Sequence, residues 1–394
     1  MEAGWEADTE LLDYRKGARP DAKKNRAIAE WPTSSGRADY VLFVGLMPIA
    51  AVEAKRENIN VAGALLQAAR YSRTLQKFAG LELPWHLEGL SKPWSGIDDD
   101  GKPTTYQLPF IYSSNGRPFI KQSAELSGTW FRDCRKPSNL SRSLLGFHTP
   151  KGLLDLLSRS REQAEALLKK EGFNYLGLRD YQEKAIHKVE QAFENDQREC
   201  LLAMATGTGK TRTIIGLMYR FLKAERFKRI LFLVDRTALG DQATDDFKDT
   251  RLEQNQTLFQ IYDVKELGDM AVAAETRIQV ATVQSMVKRI FQSDQSLPVD
   301  QFDCIIIDEA HRGYTLDQEM GEGEQAVRDA SQYLSSYRRV LDYFDAVKVA
   351  LTATPAKHTS EIFGKPVYTY TYREAVADDW LIDHEPPIRY ETLL

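Results

Sequence analysis

Cys200-Leu-Leu-Ala-Met-Ala-Thr-Gly-Thr-Gly-Lys-Thr-Arg212 reads as a buried strand that runs into a phosphate-binding loop and the first turn of a helix. Gly207 and Gly209 let the backbone curl around an anion, and the free N–H groups of the new helix point at the same spot. Lys210 adds a positive charge there, and Thr211 offers a hydroxyl to Mg2+. Working outward, Ile214, Ile215, Leu217, Met218, Phe221 and Leu222 recur at the spacing of a helix face that packs on a sheet. Strand, loop and helix in this order imply a nucleotide-binding α/β domain. The first Gly of the G-x-x-x-x-G-K-T pattern is replaced by Met204.

Downstream, Phe302-Asp-Cys-Ile-Ile-Ile-Asp308 is the apolar run of a parallel strand covered on both faces, and it opens into Asp308-Glu-Ala-His311. A carboxylate at such a strand end, beside a phosphate loop, holds Mg2+ through water, and its neighbour Glu309 polarises the attacking water. Val347-Lys-Val-Ala-Leu-Thr-Ala-Thr-Pro355 supplies another buried strand that ends in hydroxyls.

Taken in order, Tyr181-Gln182, Ala205 to Thr211, Asp308 to His311 and Thr352-Ala-Thr-Pro355 resemble the motifs of superfamily 2 helicases and translocases. The resemblance implies a RecA-like domain that uses ATP. Gln182 would read the adenine edge, while Thr206, Gly207, Thr208, Gly209, Lys210 and Thr211 surround the phosphates. Asp308 and Glu309 would serve metal and water, and Thr352 with Thr354 would couple the ATP site to DNA. Strands at 229–235 and 278–282 fill the sheet between these motifs. Their exits, at Arg236 and Ser285, would be loops that grip a nucleic-acid backbone.

The first hundred residues add a second chemistry. Tyr40-Val-Leu-Phe-Val-Gly45 and Ile49-Ala-Ala-Val-Glu-Ala-Lys55 read as two strands of a hairpin turning at Leu46, Met47 and Pro48. A turn centred on Leu46 sets Asp39 opposite Glu53, and opposed Cβ atoms in such a ladder lie about 5 Å apart. Two carboxylates that close repel unless a cation sits between them. Lys55 shares a strand face with Glu53. An isolated E-x-K is usually a solvated strand face. Here Ala50, Ala51, Val52 and Ala54 leave Glu53 and Lys55 as charges in an otherwise apolar strand.

Asp39 with Glu53-Ala-Lys55 resembles the active centre of the PD-(D/E)xK nucleases, in which the acids bind Mg2+ and the lysine assists attack of water on a phosphodiester. The predicted helix from Val61 to Phe78 carries Leu65, Leu66, Ala69 and Leu75 at helical spacing and brings Gln67 and Tyr71 onto one face. Gln67-Ala-Ala-Arg-Tyr71 matches the Q-x-x-x-Y pair that follows the E-x-K strand in type I restriction motor subunits. Further matches are Gly36-Arg-Ala-Asp39, Ser114-Asn-Gly-Arg117, Trp130-Phe-Arg-Asp133 and Tyr337 to Phe344. The chain resembles the restriction and translocation subunit of a type I restriction–modification enzyme over nearly its whole length. That resemblance implies ATP and Mg2+ as cofactors, with double-stranded DNA and the methyltransferase and specificity subunits as partners. A stand-alone DNA repair helicase or another nuclease-helicase fusion is the alternative.

The expected fold class is α/β, with a mixed-sheet restriction-endonuclease-like domain followed by a RecA-like parallel domain. Its boundaries fall at 1–136 for the nuclease, 137–176 for a connector built around one helix, and 177–375 for the first RecA-like domain. The nuclease includes a hairpin with Asn115-Gly116 in its turn, and the connector helix has Leu153, Leu154, Leu157, Ala164, Leu167 and Leu168 on its apolar side. Residues 376–394 read as the start of a second RecA-like domain, and both chain ends read as those of a piece of a longer subunit. Cys134, Cys200 and Cys304 have no paired or metal-ligand spacing, which suits a reducing cytoplasm. Among 394 residues the longest apolar stretch, 41–52, is broken by Gly45 and Pro48 and is shorter than the roughly 20 helical residues that cross a bilayer. A net charge of −5 demands that any DNA contact be made by local basic surface.

Overall fold

The computed structural model describes residues 3–76, 78–269, 272–293, 297–308, 310, 336–355 and 357–383. The chain forms two compact units. One comprises Met1–Ala164, Met286–Asp303 and Arg338–Ala346, and the other Glu165–Ser285, Cys304–Tyr337 and Val347–Leu394.

The first unit contains β1 (Asn25–Thr33), β2 (Gly36–Val44), β3 (Met47–Ala54), a separate hairpin of β4 (Trp94–Ile97) and β5 (Pro103–Tyr106), then β6 (Phe110–Ser114), β7 (Thr129–Asp133) and β8 (Arg142–Leu144). Six of these make a mixed sheet in the order β1-β2-β3-β6-β7-β8. Only β3 and β6 run parallel in it, because a long crossover lies between them. That crossover begins with the helix α1 (Val61–Arg73), whose Leu65, Ala68 and Ala69 pack with Val41, Ala51 and Ile111 on one sheet face. The opposite face, with Ile49, Val52, Phe110 and Tyr112, packs with Leu153 and Leu157.

Five expectations need correction here. α1 ends at Arg73 rather than Phe78, because the Thr74 N–H bonds to the Arg70 and Tyr71 carbonyls and the chain then leaves the helix. Leu66 is exposed, and Ala64 and Ala68 occupy the buried face instead. Asn115-Gly116 is not the turn of a tight hairpin, since β6 and β7 are joined by 115–128, including a 3-10 stretch at Lys121–Leu126. The expected single connector helix is two, α2 (Pro150–Ser158) and α3 (Arg161–Lys170). Arg159 between them is extended and turns its own guanidinium onto the Asp155 carbonyl, closing α2. Leu167, expected on the apolar side, is exposed.

The second unit is a seven-stranded parallel sheet in the order β11-β12-β10-β13-β14-β9-β15. Its strands are β9 (Glu199–Met204), β10 (Ile230–Val234), β11 (Asp263–Lys265), β12 (Thr276–Thr282), β13 (Cys304–Ile307), β14 (Val347–Thr352) and β15 (Tyr368–Tyr370). The Ile-Leu-Phe-Leu-Val run of β10 is buried at every position, as a strand covered on both faces requires. Helices α4 (Asp180–Glu194), α5 (Lys210–Lys223) and α6 (Thr237–Asp249) cover the sheet. Since β13, β14 and β9 are neighbours and parallel, their C-terminal ends bring Asp308, Thr352 and the loop after Met204 to one edge.

Candidate nuclease and nucleotide sites

β2 and β3 pair Val44 with Met47 and Phe43 with Pro48, so the turn is Gly45-Leu46 and not the expected Leu46 to Pro48. A ladder continued on that register would set Val52 opposite Asp39. A bulge intervenes: from Leu42 inward the pairs are Leu42 with Ala50, Val41 with Ala51 and Tyr40 with Val52. The next residues in line are Asp39 and Glu53.

The structure brings Asp39, Glu53, Lys55, Gln67 and Tyr71 together. Asp39 Oδ2 accepts a 2.7 Å hydrogen bond from the Ala54 N–H. Lys55 Nζ donates to Glu53 Oε1 at 2.5 Å and to Gln67 Oε1 at 2.9 Å, and Gln67 Nε2 donates to the Tyr71 hydroxyl at 2.7 Å. α1 therefore fixes the lysine through a side-chain chain that starts one helical turn away, at Tyr71. Ser113, in register with Glu53 on β6, donates to the Val61 carbonyl at 2.6 Å and anchors the start of α1 to the sheet.

Glu53 is only 2% exposed, and its Oε2 has no hydrogen-bond partner among the described residues. Burial raises its carboxyl above the usual range and the charge of Asp39 adds to that, against the pull of the Lys55 ammonium. Burial likewise raises the Tyr71 phenol. A divalent cation held by Asp39 and Glu53 Oε2 would satisfy the orphaned oxygen and relieve the repulsion, and an all-oxygen donor set suits Mg2+. No group of three or more His, Cys, Asp or Glu capable of holding a metal occurs among the described residues. The other ligands would then be backbone carbonyl and water.

In the second unit the phosphate loop turns through Gly207 at φ +82° and Gly209 at φ +75°. Thr208 Oγ1 donates to the Ala205 carbonyl at 2.6 Å, Lys210 opens α5, and Thr211 follows it in the first turn. Gln182 lies against this loop. Its Nε2 donates to the carbonyls of Thr208 at 3.1 Å and Gly209 at 3.0 Å, while its Oε1 accepts the Arg179 N–H. The amide expected at the adenine edge is thus placed on the loop itself.

The sequence flags Tyr181 beside Gln182 but not Tyr370, Arg179 or Trp380, nor the contacts by which these residues back the loop. Tyr181 donates to the Thr208 carbonyl and stacks on Tyr370 with ring centroids 4.0 Å apart, and the Tyr370 carbonyl accepts the Ala205 N–H. The Arg179 guanidinium lies over the Trp380 ring at 4.1 Å. Contacts between residues so far apart in the chain leave no local signal.

Asp308 follows β13, and its N–H donates to the Leu233 carbonyl. Thr352 is buried at the end of β14, and its hydroxyl donates to the Thr354 carbonyl at 3.1 Å. Arg236 precedes α6, and the Ser285 hydroxyl donates to the Thr282 carbonyl. Thr206 lies in the exposed part of the loop. Glu309 and His311 lie outside the described residues.

Residues 6–157 match the family model of the second domain of the type I restriction enzyme EcoKI endonuclease subunit, and residues 175–357 match that of the type III restriction enzyme res subunit. The chain is 50% identical to the type I restriction enzyme EcoKI endonuclease subunit of Escherichia coli strain K12, over 99% of this chain and 34% of that one. It is 27% identical to the EcoAI endonuclease subunit of Escherichia coli, over 98% of this chain and 42% of that one. The chain thus spans less than half the length of these curated relatives. A solved fragment assigned as an HsdR subunit of a type I restriction enzyme from Vibrio vulnificus YJ016 is similar at 24% identity and a TM-score of 0.36, over 90% of this chain and 56% of that one. Matched along almost all its residues, with the two family models falling on its two sheets in turn, the chain belongs to the type I restriction enzyme endonuclease subunits.

Proposed function

We propose that this chain takes part in ATP-dependent translocation and endonucleolytic cleavage of double-stranded DNA, as the restriction subunit of a type I restriction–modification complex. The observation that carries the reading is the buried Glu53 carboxylate, with one oxygen on Lys55 and the other unpartnered beside Asp39. Such a charge is costly to bury unless it has work to do. Residues 1–136 form the nuclease, 137–176 the connector and 177–375 the motor. The partners are the methyltransferase and specificity subunits, which supply recognition of the DNA site. No described helix is long and apolar enough to cross a membrane, and the proposed place of work is the cytoplasm.

In the nuclease, Asp39 and Glu53 hold Mg2+, and the Asp39 rotamer is fixed by the Ala54 N–H. When bound, the ion supplies Lewis acidity at the scissile phosphate and a more acidic water. Lys55, oriented by Gln67 and Tyr71, presents its ammonium to the charge that develops on the phosphate. In the motor, Lys210 with the loop N–H groups binds the ATP phosphates, Thr211 and Asp308 hold its Mg2+, and Glu309 orients the attacking water. Gln182 keeps the loop in its binding shape through Thr208 and Gly209.

Asp39→Ala or Glu53→Ala in the assembled enzyme should abolish cleavage of unmethylated circular DNA and leave ATP-driven translocation near the unmodified rate. Lys210→Ala should abolish hydrolysis, translocation and cleavage together. Normal cutting by either acid variant would overturn the nuclease assignment, and normal hydrolysis by the lysine variant would overturn the motor assignment.

A further inference from the structure

Ser114-Asn-Gly-Arg117 has no part in the chemistry above, yet it leaves the sheet beside it. β6 is the parallel neighbour of β3, with Glu53 paired to Ser113 and Ala54 to Ser114, and the Lys55 N–H donates to the Ser114 carbonyl at 2.8 Å. Arg117 stands three residues beyond Ser114, so its backbone is within about 10 Å of that strand end. The turn that carries it is fixed from inside. Asn115 is 8% exposed, and its amide donates to the Leu126 carbonyl at 2.9 Å while its Oδ1 accepts the Arg117 N–H at 3.1 Å. Gly116 takes φ +73°, and the Arg117 carbonyl accepts the Gly128 N–H.

The guanidinium is placed with equal care. Arg117 Nη1 donates to Asn58 Oδ1 at 3.1 Å, and Asn58 holds a left-handed φ of +68° in the loop that follows Lys55. No carboxylate meets Arg117 among the described residues. Other arginines of this unit are neutralised: Arg73 by Asp99, and Arg135 by Asp133 and Glu88. A half-buried guanidinium held by a neutral amide keeps its charge and most of its donors for an anion that arrives from outside. Arg56, next to Lys55, is exposed and also meets no acid among the described residues.

We propose that Arg117 binds a backbone phosphate of the DNA strand cut at Asp39 and Glu53, holding the scissile bond over the acids. The inference rests on the nuclease reading. Arg117 is a positioning residue, and it gives an acidic protein local basic surface where the substrate must lie.

The test is fluorescence anisotropy of a labelled short DNA duplex on the whole chain, followed through a salt series. Arg117→Ala should reduce the slope of log K against log salt by about 1, so that raising salt from roughly 50 to 200 mM costs about 3-fold less affinity than in the unaltered protein. Arg117→Gln keeps a donor for Asn58 without the charge and should lose the same slope. Arg117→Lys should retain it, and Asn58→Ala should leave it unchanged. An unchanged slope in the Gln variant, or an unaltered chain that does not bind the duplex, overturns the proposal. Mn2+ binding, followed by electron paramagnetic resonance, reads the acid pair separately. If Asp39→Ala binds Mn2+ as well as the unaltered chain, the nuclease reading fails. If Asp39→Ala abolishes Mn2+ binding and the slope does not move in the Arg117 variants, only the Arg117 proposal falls.

Discussion

Glu53 combines near-complete burial, a lysine on one oxygen and no partner on the other, and these have a measurable consequence. Its carboxyl is raised above the ordinary 4.5, mainly by burial and further by Asp39, so the folded protein binds this proton more tightly than the unfolded chain does. Its ionised form therefore costs stability, a cost absent below the ordinary value and fully present once pH exceeds the raised one. Glu53→Gln should be more stable than the unaltered chain near pH 8, with the gap closing as pH falls towards 4.5. Mg2+ should stabilise the unaltered chain in urea denaturation and not the Gln variant; a pH-independent gap would contradict this account. In the motor, a Cβ at Gly209 would stand 2.7 Å from Gln182 Nε2, on a backbone at φ +75°. Gly209→Ala should weaken binding of a fluorescent ATP analogue by about tenfold or more. The charged strand and the glycine loop are legible in the sequence because each breaks a local pattern. That Glu53 keeps an unpartnered oxygen and that Gln182 faces the loop are tertiary facts without such a pattern.

At the level of elements, α1 brings Gln67 and Tyr71 to the nuclease site on a helix started by Asn60, whose Oδ1 accepts the Gly63 N–H at 2.7 Å while its amide reaches Glu125. Asn60→Ala should cost about 1 kcal/mol of stability in chemical denaturation. Cleavage should slow with it, since Gln67 and Tyr71 lose their fixed helix. β8 is tied in by a partly buried ion pair: Arg142 donates twice to Asp345, at 2.6 Å each, and His148, bonded to the Tyr112 hydroxyl at 2.6 Å, meets the same carboxylate at 2.8 Å. Removing the acid leaves Arg142 uncompensated, so Asp345→Ala should destabilise by about 3–5 kcal/mol; a change below roughly 1 kcal/mol would mean that water already serves these groups. The core of α1 is legible in its apolar spacing. Its end at Thr74 is not, because no Gly or Pro marks it and the chain leaves to follow contacts made elsewhere in the fold. The break at Arg159 is equally silent, since an arginine that caps its own helix looks like any helix former.

Over the whole molecule, each unit has its own apolar core, and the three cysteines are buried and form no disulfide. Burial pushes the Cys134 and Cys200 thiols up to about 12, so neither is a thiolate at neutral pH. Native protein should react with Ellman's reagent far more slowly than denatured protein, by at least about 100-fold, and reductant should leave its melting temperature unchanged. The α/β class is legible in the alternation of apolar runs and helix faces. The order β11-β12-β10-β13-β14-β9-β15 is not, because it is decided by which distant strands pair. The bulge in β3 shows how far such pairing governs chemistry. With the turn fixed at Gly45-Leu46, one extra residue in a single strand decides whether Asp39 meets a valine or its fellow acid. Homologous chains should therefore keep constant length from residue 39 to residue 53. An inserted residue there would leave a foldable sheet and a silent nuclease, a single-step route by which a lineage could retain the motor and discard the cut.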